Sequence, residues 1–408
     1  MATGDVAIAS VNGGASDAIL TFGTDATYAA AQAVATVINA AGFNSNPPTL
    51  AVVSLPAANP PPVPPGYTGE AVVPADAADG YAIDTTNLTA FGYRYVLDAA
   101  TSTGSLTLGT NQTALITAFG GVGTTVTGAT GGGNDIIVGG GGNIVVLNGP
   151  NSQVLLAQGP DTVDGGTSSN STIFGGTGDT TVFGSSGDGN TMFLSGTSNL
   201  VNGGTGSATI ITGTGADTIN GGAGADTIFG NTGAKLINGG QGNLTFLEAS
   251  NEAVSVTGGA TGPTLFGATG GDMTYDGTSG ALYIASAGNE TLSAATSTGN
   301  NTVFGGAGID SIVAGTGADT IVSGTGVLSA TGGGGDDVFA FFNGNVGTGN
   351  SDAISDFGAS DKVLLSGYGP SGFTSVTGGG NTTLTLTDNT TITLVGVTNV
   401  SSSQIVST

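Results

Sequence analysis

The feature that most restricts this chain is a nine-residue period. Between Thr130 and Ala340 the sequence divides into 23 units, nearly all of nine residues, and the eighth position is apolar in 22 of them. Five consecutive units run from Gly203 to Leu247 (GGTGSATII, TGTGADTIN, GGAGADTIF, GNTGAKLIN, GGQGNLTFL). Five more run from Thr296 to Ala340 (TSTGNNTVF, GGAGIDSIV, AGTGADTIV, SGTGVLSAT, GGGGDDVFA). The eighth position holds Ile219, Ile228, Ile237, Phe246, Val303, Ile312, Ile321 and Phe339 among others, and Thr274 is its exception. Glycines at positions 1, 2 and 4 permit positive φ and close backbone stacking, so six residues make a tight turn. The last three residues alternate out, in, out, as a very short strand does. Two units close one flattened coil with both eighth residues between two parallel sheets. Coils rise by about 4.8 Å each, so the run predicts roughly 12 coils and about 55 Å of solenoid. A flexible Gly-rich linker would not hold one position in nine apolar.

Composition narrows the chemistry. Of 408 residues, 78 are Gly, 28 are Asp or Glu and 3 are Lys or Arg, for a net charge of −25, with no Cys, His or Trp. The absence of His removes His-based triads and His-ligated metals, and the absence of Cys removes thiol catalysis, zinc clusters and disulfides. So acidic a chain cannot neutralise phosphates, which excludes nucleic acid as a partner. No run of 18 apolar residues predicts membrane insertion, and the first ten residues lack the basic region of a secretory signal peptide.

Gly221 to Phe229, Gly305 to Val313 and Gly332 to Ala340 fit the pattern GGxGxDxUx in full. The chain thereby resembles the RTX (repeats-in-toxin) family, whose nonapeptides wind into a calcium-binding parallel β-roll. Asp352 to Phe357 and Asp361 to Ser366 resemble the segment that closes such rolls in type I secreted proteins. The resemblance implies a Gram-negative origin and export without an N-terminal signal peptide, followed by folding of the roll on calcium outside the cell. The fold expected is all-β: a parallel β-solenoid over 130–340, a small mixed N-terminal region over 1–129 and a β cap over 341–408.

The flanks differ in texture. Asp25 can cap a helix over 25–41, where Tyr28, Ala31, Val34 and Ile38 share one face and Gly42 is a stop. Residues 47–74 hold nine of the 13 prolines and read as an extended strap. Residues 82–127 read as short strands merging into the first coil. Thr382 to Val395 is two alternating strands joined at Asp388 and Asn389, a hairpin that would cover the open end of a solenoid.

Calcium is the cofactor this sequence supports. A hard cation takes six to eight oxygens, which Gly-rich turns supply as carbonyls and Asp as charge. In the RTX family the ion lies between turns stacked on one side, 18 residues apart. By that arithmetic Asp319 stacks on Asp337 and Asn301, which makes the best site. Asp272 stacks on Glu290, and Glu290 approaches Asp310 across the two extra residues Ala294 and Ala295. Asp226 faces Ala208 and Leu244, and Asp135 faces Gln153, so these turns are weaker binders. Lys235 takes the Asp position of its unit, 18 residues after Asp217. Its ammonium there either replaces an ion or marks drift at an exposed turn.

Catalysis finds no base to activate a nucleophile, and no enzyme domain accompanies the roll. The resulting expectation is a non-enzymatic extracellular structural protein that polymerises with itself into a surface layer, filament or biofilm matrix. Residues 1–74 would make the contacts between copies. Two other readings stay open: an adhesin that binds carbohydrate or a cell-surface polysaccharide, which exposed aromatic rows would favour, and a polysaccharide-acting enzyme. Tyr275, Tyr283 and Phe266 form the local aromatic cluster, and Phe266 and Tyr283 suit a core equally well.

Overall fold

Strands of three to seven residues, each with one or two inward side chains, recur between glycine turns along most of the chain. The structure, a computed structural model, describes residues 4–8, 18–22, 50–57, 59–74, 76–98, 100, 102–116, 123–130, 135–139, 142–156, 159–249 and 251–408. The helix expected over 25–41 lies outside the described residues. Among those described, the helical content is a single 3-10 turn, Thr86–Phe91, closed by Gly92 at φ 94°, and no helix is long and apolar enough to cross a membrane. The chain divides into two compact units, 1–218 with 222–224, and 219–221 with 225–408. Each is a parallel β-solenoid, with about 14 turns counted over both.

In the first unit one wall stacks Leu50–Ser54, Thr68–Val73, Tyr93–Asp98, Thr113–Ile116, Ile136–Gly139, Gln153–Leu156, Thr172–Phe174, Asn190–Phe193 and Ala208–Ile211, all parallel. The second wall stacks Tyr81–Asp84, Gly104–Thr107, Thr124–Thr127, Ile144–Val146, Asp161–Asp164, Thr180–Phe183 and Leu200–Asn202. Coils therefore begin at Leu50, well before the nonapeptides become regular. The strap expected over 47–74 is in part wall: Leu50–Ser54 and Thr68–Val73 pair directly, and the prolines from Pro56 to Pro65 fall in their connection. Pro lacks the N–H that a ladder needs, so a Pro-rich stretch can hold strands only on either side of it. Gly4–Ile8 and Ala18–Phe22 form an antiparallel pair.

In the second unit the first wall runs from Asp226–Phe229 through Leu244–Leu247, Thr264–Phe266, Leu282–Ile284, Thr302–Phe304, Thr320–Val322 and Val338–Phe342 to Lys362–Ser366 and Ile405–Ser407. The second wall runs from Lys235–Asn238 through Val254–Thr257, Asp272–Asp276, Thr291–Ser293, Ile309–Gly315 and Val327–Gly333 to Ser351–Ile354. The expected hairpin is present: Asn381–Leu386 pairs antiparallel with Thr391–Leu394, turning at Asn389 with φ 67°. Thr391–Leu394 continues the second wall in parallel with Ser351–Ile354, so the hairpin closes the stack as a further rung. Burial follows the period. Ile228, Ile237, Phe246, Val303, Ile321 and Phe339 are fully buried, and Ile312 nearly so. The glycines answer a steric demand where coils touch: at Gly333, with φ 100°, a Cβ would fall on the Gly315 carbonyl oxygen one coil away.

Thr274, the exception to the period, marks a change of register. Asp272–Asp276 is five residues long with Met273 and Tyr275 inward, opposite Leu292 and Val256 respectively, and Thr274 faces out.

Candidate metal centre

The sixth position of the repeat, two residues before the inward apolar residue, opens each strand. With a period of two along a strand its side chain also points inward. There it meets the backbone of the preceding coil. Asp319 Oδ1 accepts from the N–H of Asn301 at 2.6 Å, Asp337 Oδ1 from the N–H of Asp319 at 2.8 Å, and Asp361 Oδ1 from the N–H of Asp337 at 3.0 Å. On the other edge of the coil Asp310 Oδ1 accepts from Glu290 N–H at 3.3 Å and Asp352 Oδ1 from Leu328 N–H at 2.8 Å. In the first unit Asp161 Oδ1 accepts from Asn143 N–H at 2.8 Å and Asp217 Oδ1 from Asn199 N–H at 2.9 Å. Asparagine serves the same rung, since Asn190, Asn199 and Asn301 accept from Ser171, Thr180 and Ala281 at 2.9–3.0 Å. One carboxylate oxygen of the motif is thus structural, satisfying a buried N–H that no strand neighbour reaches.

The second oxygen carries the metal question. Oδ2 of Asp161, Asp319, Asp337 and Asp352 is buried with no hydrogen-bond partner in the protein. A Cβ on Gly332 would collide with Asp337 Oδ2, so that oxygen occupies the interior of its glycine turn. An anionic oxygen without a partner in a buried site is costly unless a proton or cation meets it. Burial, helped by the charge of Asp337, pushes Asp319 up to about 7. Asp337 is raised by burial and by the charges of Asp361, Asp356 and Asp336. Orphaned hard oxygens of this kind fit Ca2+. Among the described residues no group of three or more Asp or Glu stands at metal-holding spacing, so backbone carbonyls would complete the shell.

The expected sites fare unevenly. Asn301, Asp319 and Asp337 are brought together as expected, although Asn301 commits its amide: Nδ2 donates to the Ala314 carbonyl at 2.7 Å and to Ser297 Oγ at 3.2 Å. Asp310 is held at both oxygens, Oδ2 by Gly306 N–H at 2.9 Å. Asp272 does not stack on Glu290. The register change sets it opposite Thr291 with its side chain exposed. Asp226 is buried opposite Leu244. Asp135 does not face Gln153, which lies opposite Ile136, and its two oxygens accept from Gln112 N–H at 3.3 Å and Ala129 N–H at 2.9 Å. Lys235 is buried rather than placed at an exposed turn, and its ammonium donates to the Thr232 carbonyl at 2.9 Å. Asp217 and Lys235 fall in different units.

Four further acids fall outside the expected sites. Asp352 and Asp361 lie 24 residues after the N–H they hold, yet Asp-Ala-Ile354 and Asp-Lys-Val363 repeat the inward Asp-x-apolar signature. Asp161, with Val163 two residues on, carries the same signature at the regular offset of 18. Glu248 stands where the repeat has its first glycine, and no spacing rule points to it. Burial, with the charges of Glu290 and Asp272, pushes it up to about 8 against a hydrogen bond from the backbone of Ala268.

The family described as the RTX calcium-binding nonapeptide repeat matches this chain in four copies, over residues 129–143, 202–234, 211–243 and 296–327. These stretches contain Asp135, Asp217, Asp226, Asn301, Asp310 and Asp319, and leave Glu248, Asp272, Glu290 and Asp337 outside. No curated protein matches the sequence.

Proposed function

From a chain that carries RTX calcium-binding nonapeptide repeats wound into parallel coils, we propose an extracellular structural protein whose calcium-supported solenoid assembles with further copies into a layer, filament or matrix. The observation that carries this reading is the extent of the coils. From Leu50 to Ser407 nearly every described strand is a rung of one of the two solenoids, which leaves no separate fold for a catalytic domain among the described residues. A regular, repeated surface suits lateral or end-on contact between copies. Because Leu50–Ser54 and Thr68–Val73 are coil strands, the deletion that tests assembly ends at residue 49 instead of 74. Electron microscopy of the full chain with and without calcium should show ordered arrays in calcium, and the chain lacking 1–49 should stay folded and monomeric. Disordered or monomeric full-length protein in calcium would remove this reading.

One observation favours the adhesin as second reading. Tyr275 and Tyr283 are core residues. The outward ninth positions of the first wall, however, align Phe229, Leu247, Phe266, Ile284, Phe304 and Val322 in successive coils. Phe229 and Phe304 are about 40% exposed, and an aromatic ring recurs every second coil, about 9.6 Å apart, a spacing on which a repeating polysaccharide can lie. Retention of the protein on insoluble polysaccharide, lost on changing Phe229 and Phe304 to Ser, would move this reading ahead.

A further inference from the structure

In the second unit the turns that lead from the first wall to the second, 248–249 with 251–253, then 267–271 and 285–290, join strands that stack in parallel. The middle turn has lost the acid that the repeat would place inside it, because Asp272 is exposed. Two glutamates from the turns on either side take up that space. A Cβ on Gly271 would stand 2.6 Å from Glu248 Oε1, and one on Gly267 would stand 3.5 Å from Glu290 Oε1 and 2.5 Å from the Tyr283 hydroxyl. Both carboxylates and the phenol therefore converge on one glycine turn. Glu248 is 9% exposed and Glu290 3%, and Glu248 Oε1 and Glu290 Oε2 are buried with no hydrogen-bond partner. The remaining contacts fix the pair in place: Ser286 N–H and Oγ hold Glu290 Oε1 at 2.8 and 2.7 Å, and Ser286 Oγ also lies 2.7 Å from the Ala268 carbonyl.

We propose that Glu248 and Glu290 form a calcium site of their own, completed by backbone carbonyls of the 267–271 turn, in a stretch that none of the matched repeat copies covers. Two enclosed carboxylates with unpartnered oxygens are costly unless a cation or a proton meets them. Lys235, one coil away, turns its ammonium to the Thr232 carbonyl. Hard oxygen donors in a pliable glycine turn suit Ca2+ better than Mg2+, which demands near-ideal octahedral geometry. The longer glutamate side chains span the turn that a repeat aspartate would otherwise serve from within. Tyr283 packs against the site as a reporter.

The inference assumes a calcium-binding roll, so its test separates the two ideas. Full-length protein is titrated with Ca2+ for stoichiometry, and with Tb3+ for luminescence excited through tyrosine, in a chain with 8 Tyr and no Trp. Glu248→Gln with Glu290→Gln should bind one Ca2+ fewer per chain and lose more than half of the tyrosine-excited emission. Asp319→Asn with Asp337→Asn should lower the calcium count and keep that emission. Tyr283→Phe, which leaves both carboxylates in place, should keep the count and lose the same share of the emission. A glutamine double variant that binds calcium like the parent, a proton having neutralised the pair instead, overturns the site and leaves the calcium-supported roll standing. Emission undiminished by Tyr283→Phe also overturns it. Unchanged calcium counts in both double variants would sink the roll's calcium dependence as well.

Discussion

Two stretches of the second unit, 296–361 and 244–295, are built from the same nine-residue unit and solve the interior of their turns differently. In the first the register holds, and Asn301, Asp319, Asp337 and Asp361 form a ladder in which each acid holds the N–H of the coil before it. In the second a one-residue shift turns Asp272 outward, brings Met273 and Tyr275 in, and leaves the turn to Glu248 and Glu290. A slip of one exchanges the faces of a strand. The comparison teaches that the motif's aspartate does two separable jobs: one oxygen satisfies the backbone, and the other offers charge to the turn. The faithful stretch keeps both in one residue. The shifted stretch keeps the charge and imports it from neighbouring coils.

The largest effect should come from separating those two jobs. Asp319→Asn with Asp337→Asn keeps an acceptor for each N–H, as Asn190, Asn199 and Asn301 already do, and removes the charge. Thermal unfolding in calcium should shift down by several degrees, equivalent to about 2–4 kcal/mol of lost ligand linkage, while the calcium-free melting temperature holds or rises. An equal drop with and without calcium would mean that the second oxygen has no metal role. Next in size is pH. Burial pushes Glu70 up to about 8 and Asp161 up to about 6. A carboxyl whose folded value lies above its unfolded value binds more protons when folded, so its ionisation costs stability as pH rises through that window. Calcium-free protein should therefore be less resistant to urea at pH 8 than at pH 5, and Glu70→Gln should flatten that slope.

A smaller loss, about 1–3 kcal/mol, is expected for Lys235→Ala, since it empties a buried position and releases the Thr232 carbonyl. Chemical denaturation reads this directly, and a loss below 0.5 kcal/mol would return Lys235 to the status of a surface substitution. The smallest effect sharpens the contrast most. Asp272→Ala, at an exposed position, should change stability by no more than about 0.5 kcal/mol and leave calcium stoichiometry untouched, whereas Asp319→Ala should disturb both.

The solenoid was legible because a single inward residue in nine is a strong constraint: Val303, Ile312 and Ile321 hold the eighth position and are buried to 2% exposure or less. Even the lapse at Thr274 was visible as an exception. Its meaning was not, because a polar eighth residue alone does not tell an inward threonine from a shifted strand. Strands at 50–54 and 68–73 were hidden by the prolines between them. The stacking of the motif acids was legible at Asn301, Asp319 and Asp337, where spacing stays at 18, and was hidden at Asp352 and Asp361, which longer connections displace, and at Glu248, which reaches its turn from a glycine position.

The side-chain rungs have a direction. In each ladder the acceptor belongs to the later coil and the N–H to the earlier one, and in the second unit the final acceptors, Asp352 and Asp361, come from the C-terminal segment. A coil laid down on a completed C-terminal neighbour finds its acceptors waiting. A coil laid down in the opposite sense leaves its inward N–H bare until its successor arrives. Contacts between adjacent coils are close in sequence and propagate quickly once begun. In this unit the C-terminal segment is thus the edge that supplies inward acceptors, Asp352 and Asp361, to the coils before it.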